Sequence, residues 1–165
     1  MNKFETNKIT KSEFKKLKED NLMFITNPGR MGDEDGSTFI IKDGNELTIY
    51  RADGWMYKRS DEIEVSLDDA LKQFPKWHDA WEHEHEENYK GKYKYLYMGF
   101  GNGLSVDNSI YKEFEPYLNT CVEKYLERKN TSDKDSLKYA AIFDTWENAF
   151  IDMVNDKGYV LKNKE

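Results

Sequence analysis

The spacing of apolar residues changes period several times along the chain, and each change marks an expected element. Thr10 and Glu13 have capping-box spacing, and Phe14 and Leu17 follow three apart on one face, which predicts a helix over about Ser12–Asp20. Leu22–Thr26 reads as a short strand, ended by the turn Asn27-Pro28-Gly29. The strongest local signal is a hairpin. Ser37–Lys42 (STFIIK) and Glu46–Arg51 (ELTIYR) are rich in β-branched and aromatic residues, with the turn pair Asp43-Gly44 between them. Trp55-Met56-Tyr57 is expected as a third strand of this meander, and Ile63–Val65 as a short edge. Ser66 and Asp69 open a helix, Pro75 breaks or restarts it, and Lys76 to about Tyr89 continues it.

Tyr93–Met98 (YKYLYM) alternates as a strand, with Tyr93, Tyr95 and Tyr97 on one face, and Gly99–Gly103 reads as a loop. Ile110, Phe114, Leu118 and Val122 recur at helical spacing within Ser109–Arg128, where Pro116 must kink the helix or mark its true start. A second apolar stripe runs through Lys134–Asp156, Gly158 supplies its stop, and Tyr159–Leu161 returns as a strand. The expected class is α+β: an antiparallel sheet of about four to five strands, the meander 37–57 plus 93–98, packed on one face by two long C-terminal helices and shorter helices. No repeat or linker divides the chain, so a single domain over 1–165 is expected.

Composition sharpens this picture. Charged residues reach 35% and mean hydropathy is −0.95, yet net charge is only −7 and aromatics reach 15%, a folded rather than a disordered balance. The single cysteine, Cys121, excludes an intramolecular disulfide framework and a Cys-cluster metal site. No apolar run approaches a membrane span and the N-terminus carries no apolar leader, so a cytoplasmic protein without membrane partners is expected. The charge is uneven: residues 31–88 hold half of the 32 acidic side chains but few of the 25 basic ones.

That acidic third has the most physical content. Asp33, Glu34, Asp35, Asp53, Asp61 and Glu62 fall in expected loops and turns around the hairpin, together with Asp43, Glu46, Glu64, Asp68 and Asp69. Gathered on one face they repel nucleic acid and steer a basic partner, with Trp55 and Tyr57 as aromatic anchors. The leading expectation is therefore a non-enzymatic binding protein, immunity- or inhibitor-like or a nucleic-acid mimic, that occludes a basic protein such as a nuclease. Direct nucleic-acid binding is disfavoured because the lysines and arginines are dispersed.

Two other readings belong to different classes. His78, Glu82 and His85 fall on one helical face, and imidazole and carboxylate at that spacing can share a divalent metal in a metal-dependent enzyme. No other cofactor is implied. A small-ligand site is the third reading, lined by Tyr95, Tyr97 and Phe100 beside the glycine loop. Weaker signals end as turns. Met31–Gly36 aligns Asp33 and Asp35 with calcium-loop positions but puts Met31 and Lys42 where acids are needed. Gly99–Gly103 lacks the third glycine of a dinucleotide fingerprint. Cys121 sits on the apolar face of its helix, where a thiol behaves as a small hydrophobe.

Overall fold

The computed structural model describes residues 5–27, 37–52, 65–83, 86, 88–99, 101–129 and 134–162, with the backbone alone at 27, 67 and 134–136. Thr10 caps α1 (Lys11–Lys15) through a complete capping box with Glu13. The helix stops short of the expected Asp20 because tertiary bonds take over its carbonyls. Gln73 Nε2 donates to the carbonyls of Phe14 at 3.0 Å and Leu17 at 2.6 Å. A 3-10 turn over Glu19–Asn21 then leads into the sheet.

The β-strands are β1 (Asn7–Lys8), β2 (Leu22–Asn27), β3 (Ser37–Asp43), β4 (Glu46–Ala52), β5 (Tyr93–Gly99), β6 (Asn102–Asp107) and β7 (Val160–Leu161). Their order is β1-β4-β3-β2-β6-β5, with β7 also on β4. The central pairings are antiparallel; β1 and β7 are parallel to β4. Since β3 occupies one side of β4, β1 and β7 share the other, β7 against Glu46–Leu47 and β1 against Tyr50–Arg51. The hairpin β3–β4 forms as expected but turns one residue later, at Gly44-Asn45, where Gly44 takes φ +64°. The mixed sheet is larger than the expected four to five strands because β6 and β1 join it, while β7 falls where Tyr159–Leu161 is expected to return as a strand.

The remaining helices are α2 (Leu67–Gln73), α3 (Pro75–Glu82), α4 (Asn108–Lys129) and α5 (Lys134–Lys157). Ser66 and Asp69 form the expected capping box of α2, and Pro75 starts α3 at its first turn, where a missing N–H costs nothing. Glu19 caps α3 from the 3-10 turn, its carboxylate accepting from the backbone N–H of Lys76 at 3.0 Å and Trp77 at 2.9 Å. α3 ends at Glu82 rather than near Tyr89. The run of acids that follows is unfavourable at the negative end of a helix dipole. α4 continues through Pro116, which therefore does not mark its start; the proline sits on the exposed side.

Alternation along β3 divides the core. Ile40 points to a cluster with Phe24, Leu104, Phe114, Trp146 and Phe150 under α4 and α5. Phe39 points the other way, to Phe14, Phe74 and Trp77 under α1, α2 and α3. The two long helices cover one face as expected, while the short helices take the opposite face. Three carboxylates of α5 line its seam with α4: Tyr117 donates to Asp156, Tyr125 is bonded to Asp144, and the Cys121 thiol lies 3.8 Å from Asp152. Among the described residues no helix is long and apolar enough to cross a membrane.

Candidate functional site

Sheet topology decides where the acidic segments attach. β2 ends at Asn27, β3 begins at Ser37 and β4 ends at Ala52, and register sets these positions beside one another at one end of the sheet. The β5–β6 turn lies at the same end, since Gly103 pairs with both Asn27 and Tyr97. Segments 28–36 and 53–64 therefore leave from neighbouring strand ends. Asp33, Glu34, Asp35, Asp53, Trp55, Tyr57, Asp61 and Glu62 belong to these segments and lie outside the described residues, as do the expected strand at 55–57 and most of the edge at 63–65.

The other acids of the region go elsewhere. Asp43 and Glu46 flank the β3–β4 turn at the opposite end of the sheet, and Glu46 lies 3.7 Å from Lys162. Asp69 serves the α2 cap. Burial works to raise its pKa, but donation from Ser66 and the charges of Lys11 and Lys15 outweigh this and hold it below the ordinary carboxylate value. Among the described carboxylates of 31–88, Asp43 and Glu46 thus lie at the end opposite to the one from which segments 28–36 and 53–64 depart, because a hairpin turn and the free ends of its strands point in opposite directions.

The histidine cluster divides in two. His78 Nε2 lies 2.8 Å from Glu82 Oε1 on the outer side of α3, His78 partly and Glu82 largely exposed, and His85 lies outside the described residues. A second group assembles around His83, which the sequence reading did not single out. The His83 ring stacks on Tyr89 with centroids 5.2 Å apart and planes 15° apart. Its Nδ1 lies 3.1 Å from Glu86 Oε1 and its Nε2 3.6 Å from Asp79 Oδ1, while Tyr89 Oη donates to Asp79. The Glu86 contact first, then the charges of Glu86, Asp79 and Glu82, raise the His83 pKa above its ordinary value. Among the described residues no three histidine, cysteine or acidic side chains converge closely enough to hold a metal ion.

Tyr95 and Tyr97 share β5 but not a setting. The Tyr95 ring lies across Gly103 on β6, diagonal to its own partner Ser105. Ser105 and Ser37 are wholly buried on the same face of the sheet, and among the described residues neither hydroxyl has a hydrogen-bond partner. Tyr97 is exposed and meets Tyr139 of α5 edge to face, centroids 4.8 Å apart. With exposed Phe143 one helical turn further on, they leave an aromatic patch that the sequence reading missed. Phe100 lies outside the described residues. Burial first, then the neighbouring Asp152, raises the Cys121 thiol pKa, which favours the protonated, poorly nucleophilic form. The chain matches no family model, no curated protein and no solved structure.

Proposed function

We infer that the chain is a non-enzymatic binding protein whose contact surface is the end of the sheet from which segments 28–36 and 53–64 depart. The supporting observation is topological: both segments depart from adjacent ends of β2, β3 and β4. The two segments hold Asp33, Glu34, Asp35, Asp53, Asp61, Glu62 and Glu64 against Arg30, Lys58 and Arg59. Such a surface suits a basic protein, whose lysines and arginines pair with carboxylates in place of phosphate. Trp55 and Tyr57 supply the apolar anchors. Asp43 and Glu46, at the far end of the hairpin, are outside it.

The experiment is a binding series against purified basic nucleases, with inhibition of nucleic-acid cleavage as the readout. The expected result is complex formation that weakens steeply between about 50 and 200 mM salt, as phosphate-like ion pairing does. Binding should be lost when Asp33, Glu34, Asp35, Asp61 and Glu62 become amides, and retained in D43N/E46Q. Salt-independent binding, or equal losses in the two variants, overturns the reading.

A further inference from the structure

A hollow of about 220 Å³ lies between α1 and α2, lined by Lys11, Phe14, Lys15, Asp69, Lys72 and Gln73. Its chemistry runs against that of the whole chain. The protein carries net charge −7, yet here three ammonium groups surround one carboxylate. Lys11 and Lys15 are one helical turn apart and so share a side of α1; Lys72 comes from the last turn of α2.

Asp69 does not balance this charge. Its carboxylate accepts from the Ser66 backbone N–H at 3.2 Å and lies 3.7 Å from Lys11. Among the described residues neither Lys15 nor Lys72 has a carboxylate within ion-pair distance. The frame that holds them is fixed. Gln73 spends its amide on the carbonyls of Phe14, Lys15 and Leu17, fastening α1 to α2. Phe14, which lines the hollow, is itself buried and packs edge to face on Phe39 and Phe74 at 5.8 and 5.4 Å. Three ammonium groups against one carboxylate leave the hollow with net positive charge, and Lys15 and Lys72 make no ion pair of their own among the described residues. A multiply charged oxyanion between them offsets that charge.

We propose that this hollow binds a small phosphate-bearing anion, its phosphoryl oxygens between Lys15 and Lys72 with Lys11 at the rim. A phosphoryl group carries about two negative charges at neutral pH, which matches the two uncompensated ammoniums. Lysine binds phosphate as a point charge and needs no planar fork geometry. The volume takes a phosphate and a compact body, whereas a nucleic-acid strand needs a continuous basic groove. This proposal stands independently of the acidic segments.

The test is a ¹H–¹⁵N NMR titration of the full chain with inorganic phosphate and, separately, phenyl phosphate, against sodium chloride at matched ionic strength. Saturable shifts are expected at the amides of residues 11–16 and 69–73 for either phosphate and not for chloride. Tighter binding of phenyl phosphate identifies an organic monoester; equal affinity identifies inorganic phosphate. Lys15→Met and Lys72→Met each weaken binding at least tenfold. Both side chains are exposed, and the same spectra verify that the variants fold. Shifts that fail to saturate, that chloride reproduces, that survive in the double variant, or that appear only with a single-stranded oligonucleotide overturn the proposal.

Discussion

Replacing Gly103 by alanine tests the packing of the open end of the sheet. A Cβ built on Gly103 comes closer than 3.0 Å to the Cζ, Oη and Cε2 atoms of Tyr95, nearer than real Cβ atoms approach. Gly103 is not at positive φ, so the substitution is opposed by the aromatic ring and not by the backbone. Taken alone, Gly→Ala inside a strand is favourable by about 0.5–1 kcal/mol. Displacing a packed side chain costs about 1–3 kcal/mol. The difference predicts a net loss near 1–2 kcal/mol. With a urea m-value of about 2 kcal/mol per molar, the midpoint falls by about 0.5–1 M at unchanged m. The assay is urea unfolding followed by far-UV circular dichroism and tryptophan fluorescence. A double-mutant cycle gives it force. In a Tyr95→Ala background the obstruction is gone, so Gly103→Ala should become neutral or stabilising. An equal loss in both backgrounds, or a gain in the wild-type background, refutes the placement of the Tyr95 ring.

Further outcomes follow from individual side-chain contacts. Glu19→Ala removes both acceptors from the start of α3 and should cost about 1–2 kcal/mol in urea unfolding, with Glu19→Gln costing less because one carbonyl oxygen remains. Asp107 lies 2.7 Å from Lys92 and accepts from the Ser109 backbone N–H at 2.9 Å. Burial pushes its pKa up, but the Lys92 ammonium and the Ser109 donors outweigh this and hold it below the ordinary value. Its contribution is therefore present above the unfolded carboxylate pKa of about 4 and is lost as pH falls through the lower folded value. Asp107→Asn should be less stable than wild type by about 1–2 kcal/mol at pH 7, with the gap closing in acid; a gap constant with pH contradicts the ion pair. His83 should titrate by NMR with a midpoint above about 6.5, falling toward the ordinary value in Glu86→Gln. Because its folded pKa is raised, what it contributes to stability is present below the unfolded value and fades as pH rises through the folded one.

Capping and periodicity carried far in the sequence. The capping boxes at Thr10 and Ser66, the β3–β4 hairpin, both long helices and the Gly158 stop all stand where residue chemistry places them. Most of the failures come from contacts that local pattern does not encode. Gly99–Gly103 reads as a loop, yet Asn102 and Gly103 open the strand Asn102–Asp107 between β2 and β5, where the Tyr95 ring occupies the space a side chain at 103 would take. α1 is shortened by a glutamine from α2, and no local pattern could announce it. The face taken by the short helices follows from which side of β3 presents Phe39, a consequence of register and not of their own periodicity. Of the candidate site, the His78–Glu82 pair was legible from spacing. The His83–Tyr89 stack was not, since α3 ends before it, and the lysine hollow needs two helices that meet only through tertiary bonds.

The sealing of β4 by β1 and β7 also bears on the order in which the chain becomes safe from misassembly. The β3–β4 ribbon is local and can form soon after it leaves the ribosome. Half of its outer rim stays bare until Val160–Leu161 arrives, and 113 positions separate Asn45 from its contact at Gly158. A nascent chain of this protein thus displays an unsatisfied row of amides and carbonyls until Val160–Leu161 has been made, open to pairing with a neighbour on the same message. Nonsense truncations just before Tyr159 should leave that rim permanently open, and such products are expected in inclusion bodies even though every core-forming helix has already been made.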